Sequence, residues 1–327
     1  MSTLRGKATQ RLILACAMWG LSFPTIKALN LVQNTGESWL SSAAIMIARF
    51  GLSALLLLPI LLWQKRSGFR FTRGEIRQGI GLGIFGGLGL LLQVDGLAYT
   101  EASTSSFLTQ ASVFIIPLVK AFWHRALPTP KEILCCLIAL AGLSILSGLD
   151  WQNLTHIGRG EAETLAAATL FTGQILMLEP RAFAANDSLR VSLIMFALIA
   201  LLCIPLYWVK GGTPESIIHT FADPRALSLL AILVGPCTLA AFLWMNRWQT
   251  HVTATTAGLI YCTEPVFASL AALVLPAWMS IALHIHYPNE TLTAALLLGG
   301  GLVLVANLLI QWPTRSTGQP TSSAKTT

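Results

Sequence analysis

The sequence predicts an all-α integral membrane protein of ten transmembrane helices, arranged as two inverted five-helix repeats. Three observations predict it. Hydrophobic residues make up 54% of the 327 residues and charged residues only 11%, against about 25% charged in soluble domains. Ten apolar stretches, each near the length of about 20 residues that a bilayer crossing needs, fill almost the whole chain. The second five stretches echo the first five, and an odd number of crossings per copy turns the second copy upside down. A soluble enzyme is thereby excluded. Inverted repeats are a recurring plan of secondary transporters, with the substrate site near the midplane between the halves.

The crossings are expected at 12–30, 39–63, 78–98, 102–123, 132–149, 160–178, 191–209, 226–246, 253–276 and 292–312. Residues 11–150 form the first repeat and 151–313 the second. Residues 1–10 form a polar cytoplasmic tail and 314–327 a disordered one, the latter rich in Ser and Thr. Orientation follows from Lys and Arg. Fifteen of them collect in the tails and the even-side loops, three (Arg159, Lys210 and Arg225) lie on the other side, and Lys27, Arg49 and Lys120 lie within crossings. That bias places both termini in the cytoplasm. The net charge of +7 does not indicate nucleic acid, because the basic residues punctuate the crossings instead of forming one stripe.

The repeat is visible in the residues. Leu97-Ala98-Tyr99-Thr100-Glu101-Ala102-Ser103 and Ser106-Phe107-Leu108-Thr109 lead to Pro117. About 150 residues later, Arg247-Trp248-Gln249-Thr250-His251-Val252-Thr253 and Gly258-Leu259-Ile260-Tyr261 lead to Glu264-Pro265. The extra residues of the second copy, near 277–289, are expected in an external loop. All six cysteines lie in apolar stretches and read as small buried hydrophobes. His284 and His286, two histidines with no thiolates, do not make a metal site, so no metal and no cofactor are expected.

Several side chains stand out because polar groups in hydrocarbon need partners. Glu264 lies about 18 Å along its crossing, near the middle of a core about 30 Å thick, and is followed by Pro265, which breaks the helical hydrogen bonding. It is read as a substrate or coupling group, the alternative being a structural carboxylate. Arg49 is also near mid-depth and cannot lose its proton. It is read as a clamp for a substrate carboxylate or as half of a packing pair. Trp19, Gln110, Gln174 and Tyr261 are further candidates for the cavity wall, with Phe23, Tyr99, Phe107 and Trp244 as weaker ones and Gln93 as another buried amide. Pro24, Pro117 and Pro265 are expected helix breaks. Lys27, Asp95 and Glu163 fall at external ends, where Asp95 is a partner for Lys27. Six glycines between Gly79 and Gly89 read as a close helix–helix contact. One window among them fits the dinucleotide fingerprint by chance, since no strand precedes it.

Trp19-Gly20-Leu21-Ser22-Phe23-Pro24, Ala48-Arg49-Phe50, Gly160-Glu161 with Thr164-Leu165 and Ala168, and Glu264-Pro265-Val266-Phe267-Ala268 together resemble the EamA family of the drug/metabolite transporter superfamily. The chain departs from the family's Gly-Glu before the fifth and tenth helices, carrying His124-Arg125 and Asn289-Glu290 instead. The resemblance implies ten helices and the movement, usually export, of small organic metabolites such as amino acids, from a bacterial inner membrane. Without a phosphate-binding loop, ATP is not the direct energy source, and alternating access with proton coupling is one expectation. The expected partners are a small-molecule substrate, the lipid bilayer and protons, with no nucleic acid, and a monomer or homodimer suffices. The competing class is a non-transporting membrane sensor or scaffold. An intramembrane enzyme finds no nucleophile–base or metal motif in the chain.

Overall fold

The computed structural model describes residues 2–33, 38–64, 70–100, 102–124, 127–146, 158–179 and 183–312. Every regular element among them is helical. The first part of the chain gives α1 (Ser2–Gln33), α2 (Ser38–Gln64), α3 (Arg73–Gly96), α4 (Ala102–Thr109), α5 (Ser112–His124) and α6 (Pro130–Leu146). The rest gives α7 (Arg159–Leu176), α8 (Ser188–Val209), α9 (Pro214–Ala222), α10 (Pro224–Val234), α11 (Ala241–Trp248), α12 (Ala254–Tyr261), α13 (Glu264–Ala272), α14 (Leu275–Leu283) and α15 (Ala294–Gln311). A π-helical turn, Gly235–Ala240, joins α10 to α11. Each expected crossing contains helix. Among the described residues, six stretches are long and apolar enough to cross a bilayer by themselves, and α12–α13 with α14 makes a seventh if its 51° bend is one broken span.

The ends differ from expectation. Helix α1 begins at Ser2 and runs through the expected polar tail, where Ala8 and Thr9 are buried; once a helix is nucleated, extending it by a turn is easy. Residues 275–283, expected partly as loop, form α14, which ends at His284 in the left-handed conformation (φ 53°). The polar tail 314–327 lies outside the described residues, as does Glu101.

Two prolines do not break their helices. Helix α1 passes through Pro24, and the hydroxyls of Ser22 and Thr25 donate to the carbonyls of Trp19 and Leu21 around it (2.7 and 2.8 Å). Helix α5 passes through Pro117, and the Val113 carbonyl that the proline cannot bond accepts the Cys136 thiol at 3.8 Å. At Pro117 a neighbouring donor thus re-satisfies the freed carbonyl, as happens inside membranes. The actual break in that region lies between α4 and α5, at Gln110–Ala111. Its counterpart lies between α12 and α13, at Cys262–Thr263, directly before Pro265. The two breaks are 152 residues apart.

Packing explains the glycines of α3. A Cβ on Gly79, Gly83 or Gly87 would meet Ile194, Leu198 or Ile199 of α8, while one on Gly81, Gly86 or Gly89 would meet Met177, Gln174 or Phe171 on the α7 side. The stripe is thus two faces, each permitting one close approach. Helix α2 packs along α8, α6 along α15, and α1 against α10, α11 and α13. At one end Thr72 and Glu75 form a capping box on α3, and Arg190 pairs with Glu75 at 3.3 Å. At the other end Arg159 pairs with Asp95 (2.5 Å) and Glu163 (2.8 Å) and donates to the Tyr99 hydroxyl. Asp95 therefore has Arg159 as its ion-pair partner, whereas Lys27 donates to the Thr100 carbonyl at 3.4 Å.

Candidate functional site

A cavity of about 70 Å³ lies among α1, α2, α3, α7, α11 and the two helix breaks. Trp19, Arg49, Gln110, Gln174, Tyr261 and Glu264 all line it. Each side chain is delivered by a different local device. Trp19 sits one turn before Pro24 on α1, where Gly20 lets the chain approach within 2.7 Å of the Ala268 backbone nitrogen if a Cβ is imagined there. Gln110 is in the unwound link after α4, and Glu264 is the first residue of α13, immediately after the other break. The breaks face each other: Gln110 Nε2 donates to Glu264 Oε2 at 3.1 Å. A discontinuous helix at mid-depth exposes backbone groups and a carboxylate to a cavity, the arrangement that transporters use for a solute or ion.

Arg49 is 1% exposed. Its Nε donates to the Thr238 hydroxyl at 2.5 Å and its Nη2 to the Cys237 carbonyl at 3.0 Å. Both acceptors belong to the π-helical turn. Pro236 within that turn lacks an N–H, the Thr238 hydroxyl donates to the Leu233 carbonyl at 2.7 Å, and the widened turn leaves the Cys237 carbonyl for Arg49. Neither Arg49 nor Glu264, which is 8% exposed, takes part in an ion pair among the described residues. The cavity therefore carries one buried cation and one buried carboxyl on separate neutral partners. Between them the wall is aromatic: Trp19 stands 5.2 Å from Phe242 and 5.4 Å from Tyr261, ring centre to ring centre. The indole N–H of Trp19 is buried without a partner.

Tyr261 is held in place by Gln249, which accepts from its hydroxyl at 2.6 Å and donates to the Ile175 carbonyl at 2.8 Å. Gln93 lines the cavity and donates to Thr109 at 2.6 Å. Ser112, Phe171, Phe242 and Met245 also line it and were not singled out from the sequence. Ser112 was findable, because at the 152-residue offset it occupies the position of Glu264. Phe23, Tyr99, Phe107 and Trp244 do not line the cavity. Phe107 packs in a second core with α6 and α15, Tyr99 covers Arg159, and Trp244 stacks under Arg11. Among the described residues no three His, Cys, Asp or Glu side chains gather to hold a metal.

Comparison with known proteins fits this geometry. Residues 10–148 match the EamA-like transporter family. An uncharacterized transporter of Archaeoglobus fulgidus is 24% identical over 304 residues, spanning 91% of this chain and 84% of the relative. A solved crystal structure of a protein superposes with a TM-score of 0.61 over 93% of this chain and 95% of its own at 18% identity, a likeness of fold. Over residues 10–148 the chain is thus similar to the EamA-like transporter family, and over most of its length to a protein named as a transporter.

Proposed function

We propose that the chain is a secondary transporter that exports small organic metabolites, amino acids or related solutes, by alternating access around the central cavity. The observation that carries this reading is the convergence at one aromatic-walled cavity of a buried arginine, held by a π-helical turn, and a buried carboxyl at a helix break. A solute bearing both a carboxylate and an amine matches such a pair, with Arg49 facing the carboxylate, Glu264 the amine, and the aromatic wall covering apolar parts. The cavity has room for only a few water molecules, so a metabolite enters when the helices around it separate. A carboxyl whose neighbours are neutral can hold a proton or a cationic group in turn, which makes Glu264 the proposed coupling residue.

The matched breaks, the pairing of α2 with α8 and of α6 with α15, and the parallel contacts of α3 with α7 and of α1 with α10–α11 are what two related five-helix halves around a pseudo-two-fold axis would give. They support ten crossings in two inverted repeats. Under this reading both termini are cytoplasmic, and the membrane is a bacterial inner membrane. The test is flux in proteoliposomes over a labelled panel of amino acids, purines, sugars and amines, with and without a pH gradient. Movement of one class, competed by its congeners, is expected; no saturable movement of any solute overturns the reading.

A further inference from the structure

A second cavity, of about 140 Å³, opens at the Lys/Arg-rich end among the start of α3, the link before α8 and the end of α11. Its wall is mixed: Gln78, Asn186, Ser188, Asn246, Thr250 and His251 line it with Arg247, beside the apolar Phe183, Ala184 and Val191. Arg247 is the charged side chain of that wall. The adjacent Asp187 is engaged elsewhere, accepting from the Leu189 amide at 3.0 Å and lying 4.0 Å from Arg190. Glu75 is engaged by Thr72, Asp187 and Arg190. Amides, hydroxyls and one cation make a wall suited to a small anion.

The inner wall of this cavity is one side chain thick. Asn246, 4% exposed, donates from Nδ2 to the Ser192 hydroxyl at 2.8 Å and to the Met195 sulfur at 3.9 Å. The same sulfur accepts from Gln174 Nε2 at 3.8 Å, and Gln174 lines the central cavity. Next to Gln174 in sequence, the Ile175 carbonyl accepts from Gln249, which in turn accepts from the Tyr261 hydroxyl. The two amides thus meet on a weak sulfur acceptor, and the Asn246 Oδ1 is buried without a partner. Sulfur contacts are soft and methionine adapts its shape, so this layer can part at little cost.

We propose that the second cavity is an antechamber that takes small soluble organic anions through their carboxylates, and that Gln174–Met195–Asn246 is the gate between it and the central cavity. The gating role rests on the transporter reading; the anion preference does not. The test uses single added cysteines in vesicles sealed with the basic end facing the reagent, since the six native cysteines are buried. Ala184, exposed at the mouth, is replaced in Ala184→Cys and treated with a sulfonate or a trimethylammonium methanethiosulfonate, each rate divided by its rate with a free thiol.

The sulfonate is expected to react several-fold faster, as one nearby charge dictates, with the preference lost in Arg247→Gln and the reaction slowed by millimolar succinate. Equal rates with Arg247 intact, or slowing by anionic phospholipid instead of by succinate, overturn the soluble-anion site. In Gln174→Cys, the sulfonate rate is expected to rise at least tenfold on adding Asn246→Ala, while Ala184→Cys in the same background reacts as before, showing an intact fold. An unchanged Gln174→Cys rate overturns the gate. Absent flux with both labelling results intact contradicts the transporter reading alone.

Discussion

At Arg49 the fold commits a permanent charge to its interior with no ion-pair partner among the described residues, and two acceptors from the π-helical turn carry the burden. Losing one of them strands a charged donor. Thr238→Val is therefore expected to destabilise the protein by about 1–3 kcal/mol, read as a lower unfolding midpoint in detergent, whereas Thr250→Val at an exposed hydroxyl leaves the midpoint unchanged. The partners explain what was legible at this scale. An arginine, a glutamate and three glutamines are conspicuous in apolar sequence because hydrocarbon penalises them, so their importance could be read from residue type alone. Who would satisfy them could not. Thr238 and Gln249 are ordinary residues at ordinary positions, and only the folded chain, 189 residues from Arg49 to Thr238, brings them into reach.

At the scale of helices, glycine marks the closest approaches, and its effect depends on what faces it. Gly86 sits against the amide of Gln174, so Gly86→Ala would push that amide into the cavity. The expected outcome is a folded protein with weaker apparent solute affinity in the flux assay. Gly301 in α15 has nothing within 4 Å of an added Cβ, and Gly301→Ala is expected to raise stability by roughly 0.5–1 kcal/mol, measured by the same melt, without altering transport. Apolar length located the helices and Pro265 marked one break, but Pro24 and Pro117 pointed to breaks that are not there. Proline is the visible mark of a break, yet α1 and α5 run on through Pro24 and Pro117, and at Pro117 the Cys136 thiol takes up the freed Val113 carbonyl. The break at Gln110–Ala111 has no proline nearby. It became visible only as the partner of the one before Pro265, across the Gln110–Glu264 hydrogen bond.

For the whole molecule, the uneven distribution of Lys and Arg sets a testable orientation. Arg70→Cys is expected to react with an impermeant thiol reagent from the cytoplasmic face and Lys210→Cys from the opposite face; the reverse pattern would invert the proposed direction of the antechamber. Under the proposed function, Glu264 couples solute movement to protons at the cavity where the two breaks meet. Flux of the transported class in proteoliposomes, driven by an imposed pH gradient and compared between the parent and Glu264→Gln, tests it most directly. Gradient-driven accumulation is expected in the parent; in the variant the gradient response is expected to be lost, with solute binding weakened but still saturable. Accumulation that responds to the gradient equally in both would contradict it.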